Sequence, residues 1–207
     1  MKRIPFLALV MGLLMVLPLS AEYLKNADLS EGLSCWEGNG EAVYLKPDGT
    51  EGANTDTDAI PVLKVVLSPT QKTVVSQEIS TTDQPTHLHI QVDIFASKNF
   101  KRSTTASDYT TFTTARRANG EMVYAAVNAR PGAVLYSDNP LVPSVDFWIQ
   151  ANSAQSYAIK MTNLKPGTWT TLAADFQKLT PGSDWTISFC VPPGAGTIYL
   201  KNPSVVP

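Results

Sequence analysis

Beyond residue 21 the chain alternates hydrophobic and polar positions over short stretches, each cut off by turn residues, and no heptad or long 3.6-residue stripe runs through it. A period of two is the pattern of strands whose successive side chains point to opposite faces. It predicts strands at residues 41–46, 62–67, 73–79, 87–95, 109–115, 121–127, 145–151, 157–162, 169–176, 185–191 and 197–206. Pro47-Asp48-Gly49, Lys165-Pro166-Gly167, Pro181-Gly182 and Pro192-Pro193-Gly194 supply the turns. Asn119-Gly120 lies between two alternating segments and predicts a tight hairpin. The segments are evenly spaced, with no linker-like shift in composition. They predict an all-β fold, an antiparallel two-sheet β-sandwich formed by one domain over residues 22–207. Residues 96–108 and 128–144 are expected to be long loops.

Alternation also predicts which side chains share a face. Leu88, Ile90, Val92 and Ile94 form one side of the 87–95 strand; His87, His89, Gln91, Asp93 and Phe95 form the other. In 145–151, Val145, Phe147 and Ile149 read as the core side, opposite Asp146, Trp148 and Gln150. In 157–162, Tyr157, Ile159 and Met161 read as inward, with Ala158 and Lys160 opposite. The expectation is that the outward residues share one polar, partly aromatic sheet surface.

The first residues differ from the rest. Lys2 and Arg3 precede an apolar run from residue 4 to 19, and the small pair Ser20-Ala21 precedes Glu22. This is the layout of a secretory signal peptide spanning residues 1–21, of bacterial type. The run is shorter than the roughly 20 residues of a membrane-spanning helix. No other long apolar run follows, so no membrane span is expected after cleavage. The expected location is secreted or periplasmic.

Charged residues make up 16% of the chain and hydrophobic ones 43%. This favours a folded core over disorder. Removing Lys2 and Arg3 from the 16 basic residues leaves a net charge of −4 against the 18 acidic ones. No basic patch is visible, so nucleic acid is not an expected partner. Two cysteines, Cys35 and Cys190, follow the signal peptide. An exported protein can join them as a disulfide, or each can be a buried thiol.

Motifs of nucleophilic, phosphate-binding or zinc-protease enzymes are missing from the sequence. His87 and His89 face one way on a strand, but no third ligand is close in sequence for a closed zinc site.

Several ordered motifs carry a resemblance. Leu24-Lys25-Asn26-Ala27-Asp28-Leu29-Ser30-Glu31-Gly32-Leu33-Ser34-Cys35-Trp36 comes first, then Val74-Val75-Ser76-Gln77-Glu78-Ile79. Lys165-Pro166-Gly167-Thr168-Trp169 and the closing Thr197-Ile198-Tyr199-Leu200-Lys201-Asn202-Pro203-Ser204-Val205 follow. In this order they resemble jelly-roll carbohydrate-binding modules of the galactose-binding-domain-like superfamily. The resemblance implies a jelly roll with Trp36, Trp169 and Trp185 in its buried framework. It also implies a secreted, non-catalytic domain that binds a glycan or polysaccharide. Calcium is the one cofactor it raises, with Asn26, Asp28 and Glu31 as oxygen ligands. Lys201 stands where the family usually has Asp, which is unfavourable beside a cation.

The outward residues fit this chemistry. Trp148 or Phe95 can stack on a sugar ring, while Gln91, Asp93, Asp146, Gln150 and Lys160 can bond its hydroxyls. A second cluster, Tyr109, Phe112, Arg116, Arg117 and Tyr124, surrounds the Asn119-Gly120 hairpin and is equally compatible with solvated hairpin pairs. Two other readings stay open: an adhesive envelope protein that contacts protein partners, and a small polysaccharide-acting enzyme using His89 or the pair Asp93 and Asp146.

Overall fold

The computed structural model describes residues 22–102, 112–116, 122–126, 146–154 and 156–207. The expected signal peptide and the 128–144 loop lie outside these residues. Among the described residues all regular elements are strands: β1 (Glu37–Gly38), β2 (Gly40–Leu45), β3 (Glu51–Gly52), β4 (Ile60–Val66), β5 (Thr73–Ser80), β6 (Leu88–Ala96), β7 (Lys101–Arg102) and β8 (Phe112–Arg116). They continue with β9 (Met122–Ala126), β10 (Phe147–Asn152), β11 (Tyr157–Thr162), β12 (Trp169–Phe176), β13 (Asp184–Val191), β14 (Gly194–Ala195) and β15 (Thr197–Val206).

Two antiparallel sheets form the sandwich. One has five strands in the order β1-β5-β13-β10-β11; the other has six, β12-β6-β15-β4-β2-β3. β8 and β9 pair as predicted, Phe112 opposite Ala126 and Arg116 opposite Met122, and their Asn-Gly turn lies outside the described residues. The short β7 pairs with β14, so the expected 96–108 loop contains a strand.

The inner faces follow the alternation. Leu88, Ile90, Val92 and Ile94 of β6 are fully buried against Phe147 and Ile149 of β10 and Ile187 and Phe189 of β13 in one continuous core. Removing this apolar area from water is the main stabilising term. Trp36 and Trp185 belong to the core as expected, and Trp36 stacks on Phe189 with ring centroids 5.9 Å apart. Trp169 does not. It lies on the outer face of the six-stranded sheet beside Phe95.

The segment before β1 is a strap tied to both sheets. Tyr23 N donates to Val205 O of β15, and Leu24 and Leu29 enter the core. Glu22 accepts hydrogen bonds from Val205 N at 2.7 Å and Ser204 Oγ at 2.6 Å. β15 carries a bulge between Lys201 and Ser204, where Asn202 is left-handed (φ 48°) and Pro203 has no N–H to give the ladder.

No disulfide joins Cys35 and Cys190. Cys35 is an exposed thiol and Cys190 a buried one. Register explains the separation. Cys190 pairs with Val74, whereas β1 begins at Glu37 opposite Ser76 and reaches only Val75, so Cys35 lies before the paired stretch.

Candidate functional site

The residues expected on one surface lie on opposite sides of the sandwich. Gln91, Asp93 and Phe95 are on β6 of the six-stranded sheet; Trp148 and Gln150 are on β10 of the five-stranded sheet. The alternation within each strand is as expected. Sequence gave no means of telling which strands share a sheet, and that is where the composite surface fails.

Trp148 needs a second correction. It faces away from Phe147 and Ile149, yet it is only 2% exposed. Cys190, Val74, Ile159 and Met161 pack around it, and Lys72 Nζ lies 6.0 Å from the ring centroid. It is not a free stacking platform. The orientation of β11 is also reversed from expectation. Register sets Ile159 opposite Gln150 and Met161 opposite Trp148, so both face outward. Lys160 pairs with Ile149, on the inward side, and stays exposed because β11 is an edge strand. Asp146 ties down the start of β10: its Oδ2 accepts from Leu164 N at 3.0 Å, and Arg102 lies 3.6 Å from Oδ1.

The outer face of the six-stranded sheet binds mainly to itself. Lys64 Nζ is 2.8 Å from Glu51 and 3.6 Å from Glu41, and Tyr199 OH donates to Glu51 at 3.0 Å. The Lys64 ammonium holds the Glu51 carboxyl below the usual carboxylate range, helped by Tyr199. Asp93 accepts from Thr171 Oγ1 at 2.5 Å and Asn202 Nδ2 at 2.9 Å. His89 Nδ1 lies 2.7 Å from Asp175 Oδ1 and His87 Nε2 is 3.8 Å from the same oxygen. Phe95 is 6% exposed because the Pro47–Gly49 turn covers it: a side chain at Gly49 (φ 84°) would meet the ring at 2.7 Å. Trp169 is half-buried, with Lys201 Nζ 4.0 Å from its ring centroid. Lys201 thus faces this surface, in register with Asp93.

The outer face of the five-stranded sheet is different. Register sets up a ladder of rungs: Val74, Cys190 and Trp148; then Ser76, Ser188 and Gln150; then Glu78, Thr186 and Asn152; and last Ser80 and Asp184. Glu37 of β1 joins the second rung beside Ser76. Among the described residues, the side chains of Ser76, Glu78, Thr186, Ser188 and Asn152 take no hydrogen bond from the protein. Glu78 and Asn152 are exposed, Ser76, Thr186 and Gln150 half-buried, and Ser188 buried. The result is a strip of short hydroxyls, amides and carboxylates on a rigid sheet. The 73–79 and 185–191 alternations could have exposed it, since Ser76, Glu78, Thr186 and Ser188 are their outward positions.

The calcium candidates Asn26, Asp28 and Glu31 lie in one local turn of the strap. Asn26 (φ 49°) spends its amide on Gly32 O and Ser34 O and its Oδ1 on Glu31 N, and Asp28 holds Ser30. Among the described residues no group of three or more His, Cys, Asp or Glu side chains is arranged to hold a metal. Of the hairpin cluster, Tyr109 and Arg117 lie outside the described residues; β8 and β9 carry Phe112, Arg116 and Tyr124.

Solved structures show the same architecture. A family 61 carbohydrate-binding module in complex with β-1,4-galactotriose superposes with a TM-score of 0.52 at 13% identity, over 90% of this chain and 98% of that one. The fold is the jelly roll of carbohydrate-binding modules. The enzymatically active domain of bacteriophage CBA120 tailspike protein 4 (TM-score 0.51, 8% identity) and an arabinose-bound α-L-arabinofuranosidase (0.50, 9%) share it. They match over 89% and 91% of this chain, which spans 21% and 26% of theirs. No family model matches the sequence, and no curated protein sequence matches it.

Proposed function

We propose that the chain is an exported, non-catalytic carbohydrate-binding domain whose glycan lies on the outer face of the five-stranded sheet. The observation that carries this reading is the contrast between the two faces. Asp93, Glu51 and Asp175 are already engaged by protein groups, so a ligand there would share these carboxylates with Thr171, Asn202, Tyr199, Lys64 and His89. Ser76, Glu78, Thr186 and Asn152 are held in register by their strands and take no side-chain hydrogen bond among the described residues. Sugars present alternating donors and acceptors, and preset polar groups bind them without the entropy of ordering loops. Export fits the signal-peptide layout of residues 1–21. A jelly roll that binds glycan elsewhere supports the ligand class.

The test is retention of the mature chain, residues 22–207, in gels cast with neutral polysaccharides. Retention is expected for the native chain and reduced about tenfold or more for Glu78→Ala, which removes a charged hydrogen-bond acceptor. Asp93→Ala, on the opposite face, is expected to be retained like the native chain. Release of reducing ends from the same polysaccharides would contradict the non-catalytic reading.

A further inference from the structure

The loops at one end of the sandwich border an open depression of about 360 Å³, lined by Gln84, Ala154, Pro181, Gly182, Ser183 and Asp184, all exposed except the half-buried Gly182. Asp184 is also in the last rung of the ladder, paired with Ser80, so the depression continues the polar strip past the end of the sheet. Its wall is fixed in place. Thr81 N donates to Ser183 O at 2.6 Å, and Gly182 O accepts from Trp185 Nε1 at 3.0 Å and Thr81 Oγ1 at 3.2 Å. Thr180 N is tied to Ser156 Oγ at 2.8 Å.

Gln84 stands opposite this wall with φ at 45°, a left-handed conformation uncommon outside glycine. Its amide takes no hydrogen bond among the described residues. The Asp184 carboxylate accepts from Ser80 Oγ at 2.9 Å and Ser183 Oγ at 3.0 Å, and it keeps lone pairs to spare. An acceptor-only carboxylate facing an amide that both donates and accepts suits two adjacent hydroxyls. The volume is near the lower end for small-molecule sites.

A chain lying along β13 runs into the wall at Pro181–Asp184. We propose that the depression takes the terminal sugar of a neutral glycan, with the following units on the ladder, so that the domain reads chain ends. This rests on the glycan-binding reading above. Neutrality follows from the strip's carboxylates, Glu37, Glu78 and Asp184, which would repel uronates and sulfates.

The experiment uses the mature chain on β-1,4-galactan, arabinan and xylan, each before and after limited endo-hydrolysis. Binding sites per unit mass are expected to rise in proportion to chain ends on the polysaccharide that binds. Gln84→Gly removes the amide and suits the left-handed backbone, so it is expected to melt no lower than the native chain and to bind at least fivefold more weakly. Unchanged sites per mass after hydrolysis, or native affinity in Gln84→Gly, would overturn the chain-end proposal. If Glu78→Ala still lost binding in that case, the face reading would stand alone. Absence of binding to all three polysaccharides and to a neutral glycan array would overturn both.

Discussion

The side-chain amide of Gln77 is bonded both ways to the main chain of Lys25: Oε1 accepts from Lys25 N at 2.7 Å, and Nε2 donates to Lys25 O at 2.9 Å. Gln77 is 1% exposed and points into the sandwich between Val75 and Ile79. It does for the 22–36 strap what a strand partner would do, pairing both main-chain groups of Lys25 in a part-buried contact. Gln77→Leu leaves both Lys25 groups unpaired and is expected to lower stability by roughly 2–4 kcal/mol in urea unfolding. A loss under about 0.5 kcal/mol would mean that the strap is held without this pair.

Acid should loosen the six-stranded sheet. Glu51 is held below its ordinary range chiefly by Lys64, and Asp175 chiefly by the hydrogen bond with His89. Carboxyls with lowered folded values contribute stability above their unfolded values, about 4.3 for Glu and 3.9 for Asp. That contribution disappears as pH falls through the folded values. Stability is therefore expected to fall from about pH 4.5 downward, and Glu51→Gln should flatten the decline. An identical slope in the variant would show that Glu51 carries none of it.

Thiol chemistry separates the cysteines. Cys35 is exposed, whereas burial pushes the Cys190 thiol up to about 12. A thiolate-specific reagent should label Cys35 in the native protein, and Cys190 only on unfolding. No labelling in denaturant without reductant would reveal a disulfide.

Lys201 and Trp169 test whether the six-stranded face is structural. Lys201→Ala removes a cation 4.0 Å from the indole centroid. It is expected to cost about 0.5–1 kcal/mol of stability and leave glycan retention unchanged. Weaker retention at equal stability would move the site to this face.

Much of the fold was legible because alternation is local. The inward sets of β6 and β10 follow from adjacent residues in the sequence, and Trp36 and Trp185 pack where the motif order implied. The composite site was not legible because sheet membership is a long-range property: β6 pairs with β12 and β15, β10 with β11 and β13. β11 misled for a related reason. At an edge strand the other sheet covers less of the inner face, so Lys160 remains exposed there while Ile159 and Met161 find apolar neighbours around Trp148. Trp148 itself reads as outward, as it is, but periodicity cannot show what packs on top.

The most direct measurement is a backbone amide NMR footprint of the mature chain, titrated with a neutral oligosaccharide that it binds. The predicted result is that shifts concentrate on β5, β13 and β10 around Glu78, Thr186 and Gln150, with β6 and β12 unmoved. Shifts confined to β6 and β12 around Asp93 and Trp169 would contradict the account.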